Sequence, residues 1–391
     1  MQSTPRQSLM EFADLLQATL FGAVEQAVGE LSDKAKLLIA VLVAVPPQAH
    51  LPAGRGWRGR PAKHRQALAT AFLAKAVYGL ETTRQLIDRL CCDRQLLRLC
   101  GWNSARQLPS ESTFSRAFEE FAHTQLPQRW HEAVVQKTQR DRLIGHIARD
   151  STAIEARERY PEHPQPLPKK KRYKKSPKAT RNTPRSPRNH IEEQRLMSLP
   201  ELLAELPRSC SLGVKKSSKG HLSYWRGYKL HLDVADGDIP ISALLTSANL
   251  HDSQAAIPLM ALTSQRVIYL YDIMDAAYDA HAIRYHSLAL GHRPIIDPVQ
   301  RYRTVRTQMP LRKNSRSWKM VTTLEPIHRE LTPAESIRFR ERTSVERVNA
   351  RLKDHFGARL IHYRGAAKIM AHLMFGVLAL TVDQWLKLLS G

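Results

Sequence analysis

The stretch Leu143–Asp150, LIGHIARD, decides the fold class. It is a short, mainly apolar run that ends on an aspartate, which is typical of a strand buried in a sheet. Three further segments have the composition of strands, at 224–235, 241–248 and 267–275. Gly237 and Asp238 lie between the first two of these segments as turn residues, which predicts a β-hairpin.

Beyond these strands the chain changes to helical patterns. A helix is predicted from Ala276, then a short strand at 295–298 and a basic loop over 301–319. The segment 339–353, FRERTSVERVNARLK, has good helix formers and neither Gly nor Pro, so it is predicted to be helical. Strands followed by helices indicate an α/β domain with a mixed sheet over residues 140–391.

The predicted helix at 339–353 has a polar face beside an apolar one. The polar face is formed by residues at steps of four, three and four, namely Arg342, Glu346, Asn349 and Lys353. The apolar face, which can anchor the helix on a core, is formed by Val345, Val348, Leu352 and Phe356. Taken alone, such a polar face is typical of a solvated surface with intrahelical ion pairs.

Residues 1–137 are predicted to form an α-helical DNA-binding region. Apolar positions recur there at three- and four-residue steps, over 8–46 and 64–137. The basic linker 52–65 contains Arg58-Gly59-Arg60-Pro61, the core of an AT-hook, an extended arm whose arginines enter the minor groove of A·T-rich DNA. A plain flexible linker is the alternative interpretation.

Charge favours a polyanionic partner such as DNA, because the 391-residue chain has a formal net charge of +24 and a sequence pI near 10.2. A Pro-rich insertion at 161–190 contains ten Lys/Arg and no acid between Lys169 and Arg188, and its composition predicts disorder in isolation. Its first cations are candidate phosphate contacts, with a solvated loop as the alternative, and they are Lys169, Lys170, Lys171 and Arg172.

The sequence favours neither a membrane protein nor a zinc-binding protein. The N-terminus lacks the basic-then-apolar pattern of a signal peptide. The apolar run Ile369–Val382 is too short to span a bilayer comfortably and is predicted to be a buried helix, so no membrane partner is expected. The cysteines have no zinc-ligand spacing and are expected to be buried thiols in a reducing cytosol: Cys91, Cys92, Cys100 and Cys210.

Three acids are candidate catalytic residues. Asp150 and Asp275 each end a predicted strand, where α/β folds gather functional groups, and Glu346 lies on the polar helix face. Each alone is more often a cap, a turn residue or a surface residue, but three converging carboxylates would repel unless metal ions neutralised them. Hard oxygen ligands suit Mg²⁺ or Mn²⁺, and two such ions about 4 Å apart can activate a water or a 3′-hydroxyl against a phosphodiester.

A four-residue spacing resembles a known family signature. Phe339, Arg342, Glu346 and Lys353 match Tyr-(2)-Arg-(3)-Glu-(6)-Lys, the signature of insertion-sequence DDE transposases, with Phe339 at the Tyr position. Phenylalanine keeps the stacking surface of tyrosine but lacks the hydroxyl that could contact a phosphate. Asp150, in HIARDSTAI, resembles the first catalytic aspartate of that family, and the segments 226–234 and 245–259 resemble the strands that follow it.

Two alternatives lie close to these residues. Asp275 resembles the second aspartate of the family because Tyr278 follows it, but Asp272 precedes it on the same strand. Strand alternation sends residues 272 and 275 to opposite faces, so only one can join the site, and the Ala-Ala-Tyr context favours Asp275. His251 and Asp252 are interpreted as structural residues, with a supporting contact to the metal ligands as the alternative.

The resemblance implies a ribonuclease-H-like catalytic domain over 140–391 and two Mg²⁺ ions, with Mn²⁺ as a possible substitute. It also implies cutting at terminal inverted repeats, strand transfer into target DNA, and phosphate contacts from Arg342 and Lys353. A homodimer on double-stranded DNA is expected because two ends must be paired. The expected location is the cytoplasm of a bacterium, where the protein would be associated with the nucleoid. Two alternatives are a regulatory DNA-binding protein that no longer cuts, and a nuclease of the same fold without strand transfer.

Overall fold

A computed structural model describes residues 20–51, 64–158, 187–216, 220–298, 301–310, 318–327 and 330–390. Six candidate DNA contacts lie outside the described residues, namely Arg58, Arg60, Lys169, Lys170, Lys171 and Arg172. The predicted AT-hook and the predicted disorder of most of the basic insertion therefore stay predictions.

The described N-terminal part is helical, as its apolar periodicity predicts. Polar residues set several helix starts: the Ser32 side chain accepts a hydrogen bond from the Ala35 N–H, and Thr82 forms a capping box with Gln85. The helices are α1 (Phe21–Val28), α2 (Asp33–Ala44), α3 (Arg65–Val77), α4 (Thr83–Cys92), α5 (Arg94–Leu99), α6 (Glu111–His123) and α7 (Leu126–Gln139). Short 3₁₀ turns lie at Pro47–Ala49 and Ala105–Gln107.

A six-stranded mixed sheet forms the centre of the rest of the chain. Its strands are β1 (Leu143–Glu155), β2 (Ser211–Lys216), β3 (Leu222–Ala235), β4 (Ile239–Ser247), β5 (Ile268–Met274) and β6 (Arg293–Ile296). Their order is β2–β3–β1–β5–β6, with β4 paired to the second half of β3 as the predicted hairpin. Strands β1, β5 and β6 run parallel, whereas β3 is antiparallel to its neighbours.

Helices cover both faces of the sheet. They are α8 (Pro187–Gln194), α9 (Leu199–Glu205), α10 (Ser253–Ser264), α11 (His281–Ala289), α12 (Pro333–Phe339), α13 (Thr343–His355) and α14 (Ala366–Ser390). Alternate residues of β4 enter different cores: Ala243 and Leu245 pack with α13 and α14, and Leu244 packs with α10. A mixed sheet with flanking helices after a helical N-terminal region is the ribonuclease-H-like architecture that the resemblance implies.

Two segments differ from their sequence-based predictions. The predicted loop 301–319 is largely an antiparallel ribbon of β7 (Arg301–Pro310) and β8 (Trp318–Ile327). The many cations of this segment favoured a loop in the sequence, whereas backbone pairing between the two strands forms the ribbon. The predicted disorder of the insertion is wrong at its end, where α8 begins at Pro187, a residue whose fixed φ suits a first helical turn.

Helix α14 joins the N-terminal helices to the sheet. Its Phe375 ring lies 6.4 Å from the ring of Phe72 in α3, and its Thr381 hydroxyl is 3.1 Å from His131 Nε2 of α7. The same imidazole nitrogen is 3.1 Å from the carbonyl oxygen of Pro240 in β4. One continuous hydrophobic core therefore contains residues of both regions.

The apolar helix is longer than the run 369–382 that the sequence predicts to be a buried helix. Its residues Ala366–Leu389 could cross a membrane by length and composition. However, 72% of its most apolar window is buried inside the protein, as the sequence predicts for a core helix.

The cysteine prediction is correct only in part. All four thiols are unpaired, but Cys91 and Cys92 are exposed because they lie at the end of α4, whereas Cys100 and Cys210 are buried.

Candidate active site

Asp150 and Asp275 lie side by side at the centre of the sheet. In the parallel pairing of β1 with β5 the last matched residues are Arg149 and Met274, and each aspartate is the next residue along its strand. Strand β1 does not end at Asp150, as predicted, but continues to Glu155 because it still pairs with β3. Only its pairing with β5 stops there, which opens the edge where the two carboxylates lie.

Backbone N–H groups orient both carboxylates. The Ser151 N–H donates to Asp150 Oδ1 at 2.7 Å. Asp275 caps the 3₁₀ turn Ala276–Tyr278, and its Oδ1 accepts the Ala277 N–H at 3.0 Å. One oxygen of each aspartate is thus held in place by its own strand end.

The environment of the pair disfavours two negative charges. Burial raises the pKa of Asp150 to about 6, and the charges of Asp275 and Asp252 act in the same direction. Burial also raises the pKa of Asp275, again with the help of Asp252. Arg342 opposes both shifts. Two oxygen ligands that repel each other in a half-buried site suit a divalent cation.

Glu346 reaches this site only indirectly. The 3₁₀ turn Arg340–Arg342 packs on β1 and β5, and the Arg342 guanidinium forms an ion pair of 2.7 Å with the half-exposed Glu346 carboxylate. Within the described parts of the chain, no three His, Cys, Asp or Glu side chains lie close enough to hold a metal ion. The structure therefore brings Asp150 and Asp275 together and leaves Glu346 bound to Arg342.

The segment predicted as one helix is divided in two by that turn. Phe339 is the last residue of α12, and the Arg342 guanidinium lies 5.9 Å from the centre of its ring. Helix α13 then presents the predicted apolar face, and Val345, Val348 and Leu352 are fully buried. The division has no sequence signal, because all three residues of the turn are acceptable in an α-helix.

The remaining polar positions of α13 are less exposed than the sequence predicts. Asn349 is only 7% exposed, and its Oδ1 has no hydrogen-bond partner among the described residues. Lys353 is half-buried. Burial lowers the pKa of Lys353, and the nearby charges of Arg359 and Lys215 act in the same direction. The face is therefore partly closed by packing and is not the freely solvated surface typical of a lone helix.

The chain matches the family described as "Transposase DDE domain" over residues 142–382, which contain all of the candidate site. The protein is a DDE transposase. A second family, "Transposase domain (DUF772)", matches residues 45–120 within the N-terminal helical region. No curated protein matches the chain. DDE transposases bind DNA and are metal-dependent DNA-cleaving and transferring enzymes, and they generally use divalent ions.

Asp272 of the transposase lies on the other face of β5, as alternation predicts. It is fully buried, with the Arg149 guanidinium 3.3 Å away, and it accepts hydrogen bonds from Ser287 and Tyr269. Asp233, also fully buried, lies 2.6 Å from the same guanidinium. These groups form a core network beneath the site and have no direct access to DNA.

The sequence did not identify all residues around the aspartates. Asp252 was interpreted as structural, with a supporting contact to the metal ligands as the alternative, and its charge acts on both aspartates. Tyr278 is 1% exposed, and its hydroxyl has no hydrogen-bond partner in the described part of the chain. Asp252, Asp150 and Asp275 all help burial to raise the pKa of Tyr278. Only the Asp-Ala-Ala-Tyr spacing pointed to Tyr278, and no local pattern distinguishes Asp252 from a helix cap.

We expect Asp150→Asn to stabilise the metal-free transposase at neutral pH. The pKa of the Asp150 carboxyl is 3.8 in the unfolded chain and about 6 in the folded protein. Its contribution to stability is thus fully present below the unfolded value and is lost as the pH rises through the folded value. The amide lacks this loss, so the free energy of unfolding should favour the variant by about 3 kcal/mol at pH 7.5.

Urea unfolding in the presence of a chelator measures this difference, and it should shrink towards zero as the pH falls to about 4. A variant advantage that does not change with pH would contradict the assignment of the effect to the charge of Asp150.

Proposed function

We propose that this transposase binds the terminal inverted repeats of an insertion sequence, cleaves a phosphodiester bond at each end and joins the freed 3′-hydroxyl to target DNA. The observation that carries the proposal is the juxtaposition of Asp150 and Asp275 on paired parallel strands, beside Arg342. The mutual repulsion of these carboxylates is relieved when a cation binds between them.

Asp150, Asp275 and Glu346 are the proposed ligands of two Mg²⁺ ions, for which Mn²⁺ can substitute. When bound, such ions activate the attacking oxygen and stabilise the leaving oxygen of the phosphodiester. Glu346 can join the aspartates only after its ion pair with Arg342 opens. A DNA phosphate that binds the Arg342 guanidinium would release the Glu346 carboxylate, because both anions compete for the same donors.

The segment 339–353, which carries the four-residue signature, supplies the proposed DNA contacts near the cut. Arg342 and Lys353 contact phosphates, Phe339 stacks on a sugar or base, and Asn349 is a further proposed contact through its side-chain amide group. Further contacts are proposed for Arg58, Arg60, Lys169, Lys170, Lys171 and Arg172. The working unit is proposed to be a homodimer that pairs two ends in the bacterial cytoplasm, associated with the nucleoid and not with a membrane.

We expect Lys353→Ala to weaken DNA binding at every DNA sequence. Each phosphate that a cation neutralises contributes a slope of about −0.9 to the dependence of log affinity on log salt. The slope for the variant should therefore be less steep by about 0.9, measured by fluorescence anisotropy from 50 to 200 mM salt. Lys387→Ala is the control, because Asp383 lies 2.6 Å from the Lys387 amine, and its slope should not change.

Cleavage of a duplex that carries the terminal repeats of the element tests the proposed function. The unaltered protein should nick this duplex with Mg²⁺, lose the activity with a chelator, and yield products in which the 3′-end is joined to a second DNA. Binding without metal-dependent nicking would instead indicate the regulatory protein. Nicking without any joined product would indicate the nuclease.

A further inference from the structure

The loop between β4 and α10 brings a third carboxylate, Asp252, to the aspartate pair. An aspartate immediately before a helix usually accepts a hydrogen bond from a backbone N–H of the first turn. The Asp252 side chain makes no such bond. Instead, His251 Nδ1 accepts the Ser253 N–H at 3.3 Å and lies 2.7 Å from the Ser253 hydroxyl. A capping role therefore does not explain Asp252.

Lys229 of β3 holds this loop against the sheet. Its ammonium group donates to Asp252 Oδ1 at 2.9 Å and to the Leu250 carbonyl oxygen at 2.8 Å. Both charged side chains are largely buried, with 14% of Lys229 and 22% of Asp252 exposed. Separating a lysine and an aspartate that are largely withdrawn from water would leave each charge without its partner, so the ion pair holds the loop on β3.

Ser151 connects Asp252 to the catalytic strand. Its hydroxyl faces the Asp252 carboxylate and favours the ionised form, and its backbone N–H donates to Asp150 Oδ1 at 2.7 Å. The contacts thus form an unbroken chain from Lys229 through Asp252 and Ser151 to Asp150. They link β3, the loop before α10 and β1 at the point where the pairing with β5 stops.

We propose that Asp252 is a positioning residue that acts through Ser151 to hold the Asp150 carboxylate in the orientation required for metal binding. Lys229 neutralises the charge that Asp252 would otherwise add beside Asp150 and Asp275. This inference rests on the proposed function, because it takes Asp150 to be a metal ligand. Groups that orient a metal ligand typically change metal affinity by ~10–100-fold when they are removed.

Mn²⁺ binding to the full chain, followed by electron paramagnetic resonance without DNA, tests the inference. Asp252→Ala should weaken Mn²⁺ binding by about tenfold. Asp252→Asn keeps an acceptor oxygen for Ser151 and should restore most of the affinity. Ser151→Ala removes only the hydroxyl and should give an intermediate loss, so it decides the matter if Asp252→Ala does not fold.

Glu119→Ala is the matched control, because it removes an ion pair with Lys368 of the same 2.9 Å length away from the site. It should leave Mn²⁺ affinity unchanged, whereas thermal unfolding reports any general loss of stability. Unchanged affinity in folded Asp252→Ala or Ser151→Ala would overturn the inference alone. Failure of the unaltered protein to bind Mn²⁺, or binding that is insensitive to Asp150→Asn, would overturn the proposed function as well.

Discussion

Asp275→Asn is expected to reduce Mg²⁺-dependent nicking of a terminal-repeat duplex by at least ~10³-fold, since metal ligation stabilises the transition state by several kcal/mol and each 1.36 kcal/mol is tenfold in rate. The amide keeps the acceptor oxygen for the Ala277 N–H, so the strand end should retain its shape. Single-turnover cleavage assays measure the loss, and gel-shift assays should give nearly unchanged affinity for the duplex.

Glu346→Gln should cause a comparable loss, although Glu346 lies against Arg342 in the protein without DNA. Glu341→Gln is the matched control, because Glu341 is an exposed acid of the same 3₁₀ turn region. Its cleavage rate should stay within a few-fold of the unaltered protein. Retained nicking by Glu346→Gln would remove Glu346 from the catalytic set while leaving Asp150 and Asp275 in place.

Arg149→Met is expected to lower the free energy of unfolding by about 3–5 kcal/mol, because it leaves two buried carboxylates without their cation. Asp233 and Asp272 are both fully buried, and each lies within 3.3 Å of the Arg149 guanidinium. Methionine fills a similar space, so the loss reports the unpaired charges more than a cavity. Urea denaturation at pH 8 measures it.

The charge origin of this loss can be separated from packing. A buried carboxylate that has lost its cation favours the protonated form, so the deficit of Arg149→Met should be smaller at pH 5 than at pH 8. In the triple variant Arg149→Met/Asp233→Asn/Asp272→Asn neither carboxylate is left as an unpaired buried charge. This variant should therefore be more stable than Arg149→Met alone. A triple variant as unstable as the single one would contradict this explanation.

Much of the fold follows from local patterns. The apolar run before Asp150, the turn at Gly237 and Asp238, and the apolar stripe of α13 each predict the element that forms. The error over β1 has a physical cause: residues 151–155 are held by backbone pairing with β3 and need no apolar run. Backbone pairing is likewise what turns the basic segment 301–310 into a strand.

The candidate site was less predictable than the fold. Strand ends and the family resemblance selected Asp150 and Asp275, and the spacing along a helix face selected the helix residues. The ion pair of Arg342 with Glu346, and the contact of Lys229 with Asp252, depend on how helix and loop dock on the sheet. Lys229 and Ser151 have no distinguishing local pattern, since only the tertiary structure brings them to Asp252.

The placement of helix α14 limits how this protein can be recombined with its relatives. A boundary near residue 140 invites domain exchange, yet α14 contributes Phe375 and Thr381 to contacts with α3 and α7 from the far end of the chain. A chimera with the N-terminal helices of another protein would need an α14 that packs against those helices. Otherwise both regions would lose buried contacts in the shared core. The N-terminal helices and the C-terminal helix are therefore one packing unit, although they lie at opposite ends of the chain.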